Sequence, residues 1–364
     1  MPKSAEVWAI GLMSGTSCDG IDAALLRTDG NAVTAYGPSL TIPYDDVFRG
    51  ALRACLGGAE EKTVTEVEQE LTERHAVAVL ELLRLADRAP RDIALIGFHG
   101  QTILHEPEKR RTWQIGDGAL LAQATGIDVI NDFRSNDVSA GGQGAPLAPV
   151  YHRALAAGLA GPLAVLNLGG VGNVTWIGSP EQDLLAFDTG PANALIDDWA
   201  LLHTGRAVDH GGALAKAGRV DEQMLAHWLA HPYFQAPAPK SLDRDAFRKL
   251  MPTGSSAADG AATLTAFTAA TVAAALQWFP QPAARWLVTG GGRHNPVLME
   301  ELRRRLSVPV DPVEAVGWDG DALEAQAFAF MAVRSSAGLP ISFPGTTGAP
   351  RPLSGGTLHR HNHR

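Results

Sequence analysis

Apolar residues fall along this chain in two recurring patterns, short near-continuous runs and longer stretches at helical spacing. Residues 7–12 and 21–27 read as two strands joined by a turn rich in glycine and hydroxyls, and 36–43 as a third strand. Residues 45–56 follow as a helix begun by Asp45 or Asp46. Over 63–86, Val64, Val67, Leu71, Ala76, Val79, Leu80 and Leu83 share one helical face, which predicts a long helix packed on one side. Ile93 to Phe98 is apolar almost without a break, as in a strand covered on both faces. The plan then restarts. Strands are predicted at 163–168 and 174–177 around Gly169-Gly170, a third apolar segment runs into Asp188, and 194–202 is helical. A buried helix rich in Ala and Thr is predicted over 263–279, then strand 284–288, helix 297–306 and an amphipathic helix over 321–332. The tail from Leu339 to Arg364, rich in Pro, Gly, Ser and His, reads as irregular.

Composition narrows the class. With 364 residues, 45% hydrophobic and 19% charged, the chain is globular and long enough for two domains. A net charge of −9 repels nucleic acid and anionic membrane surfaces, so small molecules are the expected partners. Two cysteines, Cys18 and Cys55, cannot make a disulfide framework, which fits a reducing compartment. The first residues lack the apolar core of a signal peptide, and no later apolar run reaches the roughly 18 residues of a membrane helix. A cytoplasmic location is expected.

Candidate chemistry gathers where apolar runs end. The turn Ser14-Gly15-Thr16-Ser17-Cys18-Asp19-Gly20 offers backbone N–H groups and hydroxyls without bulk, which suits a polyphosphate; a plain Gly/Asp hairpin has the same make-up. It is not a Walker loop, because no Gly-Lys-Ser/Thr follows and a strand comes next. His99, Gln101 and Thr102 sit just past a strand, where α/β sheets collect ligands, although a lone histidine there is often structural. Arg134 ends the run Val129-Ile-Asn-Asp-Phe-Arg134, an apolar segment followed by hydrogen-bonding groups, and can clamp a carboxylate, or else pair with Asp132 or Asp137. Gly141 to Pro146 follows as a flexible loop, taken as the crossover between domains. Gly169-Gly170 repeats the phosphate-type hairpin. Asp188 stands where a strand meets a glycine turn, aimed at a cleft or capping the next helix. Lys240 reads as a solvated loop lysine, with substrate contact as the alternative. Gly290-Gly291-Gly292 lets a flat ring such as adenine lie against the backbone, and Asn295 can cap the helix after it; the spacing is wrong for a dinucleotide fingerprint. His359, His361 and His363 read as a frayed end, with weak metal binding the alternative.

Two halves that each open with a glycine hairpin, an acidic second loop and a glycine-triplet loop together resemble the sugar kinase, heat-shock ATPase and actin superfamily. Within it the chain most resembles the anhydro-N-acetylmuramic acid kinases. The matching stretches are 11–22, His99–Thr102, 114–117, 132–134, 141–146, 167–170, 187–191, 289–292 and Glu324-Ala325. The resemblance implies an α/β fold of two actin-like (ribonuclease H-like) domains with an ATP and sugar cleft between them, placed at 1–135 and 136–338 with a tail at 339–364. It implies that ATP and 1,6-anhydro-N-acetylmuramic acid are consumed in peptidoglycan recycling, with a homodimer allowed.

It further implies that Gly15, Thr16, Ser17, Cys18, Asp19, Gly20, Ile21 and Asp22 hold phosphates, partly through the amides of Cys18 and Ile21. Asp188 corresponds to the catalytic base, and Gln101, Thr102 and Arg134 fall at sugar-contacting positions. Two departures from the family pattern stand out. Ala192 replaces a usual glycine, and Ser241-Leu242-Asp243-Arg244 replaces a Ser-Thr-Gly-Arg run. In such chemistry the phosphoryl group captures the leaving O6, so one carboxylate suffices where glycoside hydrolysis needs two. Mg²⁺ would offset phosphoryl charge, held through water by Asp19, Asp22 or Asp188. An ordinary sugar or acetate kinase is the alternative, and a chaperone-like ATP clamp lacks room for a peptide-binding domain.

Overall fold

The computed structural model describes residues 5–15, 17–178, 184–242 and 247–361. The chain divides into two compact units, Met1–Ala157 with Ala322–Arg364, and Gly158–Asp321. The expected boundaries at 135/136 and 338/339 are therefore corrected. Residues 136–157 stay with the first unit, and the helix Leu323–Ser336 returns to it with the tail.

The first unit is built on β1 (Val7–Ser14), β2 (Gly20–Thr28), β3 (Val33–Pro43), β4 (Leu95–Glu106), β5 (Arg111–Ile115) and β6 (Val129–Asn131). The second carries β7 (Leu163–Leu168), β8 (Val171–Ile177), β9 (Leu184–Pro191), β10 (Arg285–Thr289) and β11 (Val310–Pro312), and β12 (Thr357–His359) goes back to the first. The sheets run β12-β6-β4-β1-β2-β3, with β5 on β4, and β11-β10-β7-β8-β9. In each unit the first three strands form an antiparallel meander, with β4 and β6 joining parallel beside β1 and β10 and β11 parallel beside β7. With β5 and β12 set aside, the two orders are the same, as the ribonuclease H-like pattern expects. A parallel neighbour needs a long crossover. In the first unit the helices Asp46–Ala54 and Glu61–Leu85 provide it.

The Glu61–Leu85 helix buries Val64, Val67, Leu71, Val79, Leu82 and Leu83, while Leu80 points to solvent. On β1 and β4, side chains are absent where the helix Leu323–Ser336 crosses. A Cβ at Gly11 would collide with the Ala325 carbonyl oxygen, and one at Gly97 with that of Phe328. Backbone therefore packs on backbone, and this helix is buried nearly all round, from Leu323 to Arg334, instead of showing the expected polar face. In the second unit the helix Ala257–Ala274 carries the small residues and is buried throughout its middle. With the turn after it, Ala257–Trp278 is long and apolar enough to cross a bilayer, contrary to expectation, yet 78% of its most apolar stretch lies inside the protein, as in a core helix.

As far as His361 the tail is ordered, not irregular. Its β12 pairs antiparallel with β6, Ser342 bridges Leu353, and His361 bonds Asp128 through both backbone N–H and Nδ1. His359 Nε2 meets Asn131 Oδ1 at 2.9 Å. These bonds tie both histidines to the sheet, and no group of three or more metal-ligating side chains gathers among the described residues. His363 lies outside them.

Candidate active site

The β1–β2 hairpin presents the expected phosphate turn. Cys18 takes a left-handed φ of 53° and its amide donates to Gly15 O at 3.0 Å, so a phosphate oxygen taking that amide has to replace an internal bond. Ser17 Oγ donates to Asp19 Oδ1 at 2.7 Å, and Thr41 Oγ1 to Asp22 Oδ1 at 2.6 Å. Burial pushes the Cys18 thiol up, which keeps it protonated. Gly20 and Ile21 begin β2 and pair with β3. Thr16 lies outside the described residues.

At the root of the hairpin Ser14 pairs with Gln101 across β1 and β4, and its Oγ donates to Gln101 Oε1 at 2.7 Å. Tyr44, whose hydroxyl lies 2.9 Å from Ser14 Oγ, closes this buried knot. The Gln101 amide nitrogen reaches the Thr102 carbonyl at 3.3 Å. Gln114 Nε2 donates to Thr102 Oγ1 at 3.2 Å, and its buried Oε1 has no partner. Burial and the nearby Arg134 charge hold His99 down to about 3, so its ring is neutral. Its Nδ1 faces Gly100 O at 2.7 Å, which makes Nε2 the acceptor for Arg134 Nη2 at 3.0 Å. With both ring nitrogens engaged, His99 supports Arg134 and has no nitrogen left for a sugar. Arg134 Nη1 donates to Gly144 O at 2.7 Å, and its buried Nε has no partner. The anticipated pairs with Asp132 and Asp137 are absent as hydrogen bonds, although the Glu324 and Asp137 charges help keep the guanidinium protonated against burial, which lowers it to about 10.

In the second unit Gly169 and Gly170 form the tip between β7 and β8. Asn193 N donates to Gly169 O at 2.9 Å and Ala192 N to Gly170 O at 3.0 Å, which stitches the acidic loop to the glycine turn. Asn193 Nδ2 also holds Leu168 O at 2.8 Å. Gly290 has φ +75°, and a Cβ there would strike Asn167 and the Leu168 carbonyl, so only glycine fits. Gly291 is exposed, and a Cβ there would make an ordinary contact with Asn193 Nδ2 at 3.8 Å; Asn295 caps the helix Pro296–Leu306 through Val297 N and Leu298 N, as expected. Ala192, where the family pattern has glycine, takes φ −122° and ψ −114°, outside the ordinary α and β regions, with its methyl buried in the core.

Asp188 lies near the end of β9. Its N–H donates to Lys240 O at 2.9 Å, its carbonyl accepts from the Tyr233 hydroxyl at 2.7 Å, and Oδ2 accepts from Leu242 N at 2.7 Å. Its Oδ1 makes no hydrogen bond among the described residues. Burial raises the carboxyl to about 7, and the Leu242 amide opposes that rise; no neighbouring charge contributes. The helix it would have capped starts only at Asn193, so a capping role is excluded. Lys240 is packed rather than solvated: its Nζ donates to Tyr233 O at 2.8 Å and lies 4.5 Å from the Tyr233 ring centre. Asp243 and Arg244 lie outside the described residues.

The family model described as Anhydro-N-acetylmuramic acid kinase matches residues 7–361. The chain belongs to the anhydro-N-acetylmuramic acid kinase family. A relative of that name from Rhodospirillum rubrum is 62% identical over 358 residues, covering 98% of this chain and 95% of the relative. Another from Paramagnetospirillum magneticum is 62% identical over 354 residues, covering 96% and 99%. Among solved structures, component A of (R)-2-hydroxyglutaryl-CoA dehydratase from Acidaminococcus fermentans is similar at 14% identity and a TM-score of 0.49, covering 91% of this chain and 99% of that one. Membership in the anhydro-N-acetylmuramic acid kinase family favours a kinase of anhydro sugars over an ordinary sugar or acetate kinase.

Each unit thus gathers its own set: the hairpin, Gln101, Thr102 and Arg134 in the first, and the glycine turns, Asn193 and Asp188 in the second. Sequence reading leaves out Tyr44, Tyr233 and Asn193 as site residues. Asn193 carries a signal, since it directly follows the acidic glycine loop; the two tyrosines carry none, because their partners are 30 and 45 residues away.

Proposed function

We propose that this kinase transfers the γ-phosphoryl group of ATP to O6 of 1,6-anhydro-N-acetylmuramic acid while water opens the anhydro bridge. The products are N-acetylmuramic acid 6-phosphate and ADP, in a cytoplasmic recycling step. The observation that carries the reading is the Asp188 carboxyl: poised near neutrality by burial, with one oxygen fixed by Leu242 N and the other without a hydrogen bond among the described residues. In its ionised form Asp188 takes a proton from water as the water oxygen bonds to the anomeric carbon. The bond from that carbon to O6 breaks, O6 bonds to the γ-phosphorus, and the bridging oxygen leaves with ADP. The phosphoryl group does the work of the acid that a glycosidase needs.

The turn Gly15–Asp22 and the Gly169-Gly170 tip are assigned to phosphates, Gly290–Gly292 to adenine, and Gln101, Thr102 and Arg134 to the sugar, with Arg134 facing the lactyl carboxylate. A Mg²⁺ ion carried chiefly by nucleotide oxygens would be held through water by Asp19, Asp22 or Asp188. When bound, the ion neutralises charge on the transferred group.

Incubation with the anhydro sugar alone, and separately with ATP and reducing N-acetylmuramic acid, tests the coupling by mass spectrometry. Neither arm is expected to give product. Rapid 6-phosphate from the reducing sugar would sink the reading.

A further inference from the structure

We infer that Asp137 and Thr347 are positioning residues for Arg134, and that through them the C-terminal tail sets the enzyme's preference for a sugar that carries a carboxylate. This rests on the assignment of Arg134 to the lactyl carboxylate. Asp137 is 2% exposed. Its Oδ2 accepts from Gly144 N at 2.7 Å, and its Oδ1 accepts from Thr347 Oγ1 at 2.7 Å. The carbonyl of the same Gly144 accepts from Arg134 Nη1, so both polar groups of one residue are pinned, one by an anion and one by a cation.

Gly144 has φ +69°, and a Cβ there would run into Val138, so this clamp admits glycine only. Gly142 packs its backbone directly on the Asp137 carboxylate, and Gln143 N donates to Thr347 O at 2.6 Å. On its far side Arg134 is fixed by the His99 acceptor. A planar guanidinium gains its bidentate geometry only when its plane is set in advance. Here one amino group is aimed at Gly144 and the other at His99, which leaves the Nε edge without a protein partner. Thr347 belongs to the short helix Pro344–Thr347 and is wholly buried, so the tail orients the arginine without reaching the sugar.

The experiment compares 1,6-anhydro-N-acetylmuramic acid with 1,6-anhydro-N-acetylglucosamine, which lacks the lactyl acid, by calorimetric binding and by steady-state kinetics. Thr347→Val and Asp137→Asn should weaken binding of the acidic sugar about 10-fold, leaving the neutral sugar, kcat and the KM for ATP within about two-fold. Thr347→Ser should restore the preference. Equal weakening of both sugars, or a preference kept in both variants, overturns the proposal. Arg134→Ala separates the two claims. If it abolishes the preference and the other variants keep it, only the positioning role fails; if it too keeps the preference, the assignment of Arg134 fails and the proposal with it.

Discussion

The two units fold the same strand order around different solutions to close packing. In the first, strand glycines let the backbone of the helix Leu323–Ser336 lie on bare backbone at Gly11 and Gly97. In the second, the strands keep large side chains such as Trp176 and Trp286, and most of the smallness comes from the helix Ala257–Ala274, with Gly190 of β9 set against its Thr271. Buried titratable groups differ as well. The first unit holds His75, His99 and His152 neutral by burial, and the second holds Asp188 partly protonated. One topology thus tolerates small residues on either partner, and each choice leaves a different place where substitution or acid does harm.

The most sensitive point is Asp188. Asp188→Asn should lower kcat about 10²- to 10⁴-fold, the range of base catalysis, while ATP binding persists. The same variant should melt higher than the parent at pH 8 and less so at pH 5. A carboxyl raised from 3.8 to about 7 contributes its stability below the lower value and loses it as pH rises through the upper one. Turnover near the parent rate would remove Asp188 as the base. Next comes Gly97→Val, which drives a side chain into the Phe328 carbonyl; overpacking costs about 1–3 kcal/mol. Chemical denaturation measures it, and an unchanged midpoint would mean that the helix can shift freely.

Acid should separate the units. The three histidines sit at about 3 to 4 in the fold against 6.5 outside it, so the stability they contribute is present above pH 6.5 and drains away as pH falls toward 4. Hydrogen exchange between pH 7 and 5 should therefore show β1 and β4 opening before β7 and β10; the reverse order would contradict the contrast. The smallest effect belongs to His361→Ala, which removes a partly exposed pair with Asp128 and should cost about 0–1 kcal/mol. A larger loss in thermal melting would make the tail contact a cornerstone of the first unit.

Much of this was legible in the residues. The glycine hairpins, the apolar strands and Asp188 at a strand end are local patterns, and local patterns survive folding. The site's supporting bonds were not: Asp137 meets Thr347 across 210 positions, and Asn131 meets His359 across 228. The tail looked irregular because its short strand borrows order from β6 rather than from its own periodicity. The helix Leu323–Ser336 looked amphipathic for a related reason, since Gln326 and Arg334 are buried by partners distant in sequence, Tyr151 and Gly30. The domain boundary was misplaced because nothing in the pattern of residues 321–332 says which sheet that helix will cover.

That return has a consequence for synthesis. Residues 158–321 emerge from the ribosome as one continuous block and can close their own core as soon as they are out. The opening strands of the chain must wait, with the glycine-lined face of β1 and β4 uncovered, until residue 336 has been made and the helix can dock. The strands β1 and β4 are thus translated before residues 158–321 yet finished after them, and during that interval their bare face stays uncovered.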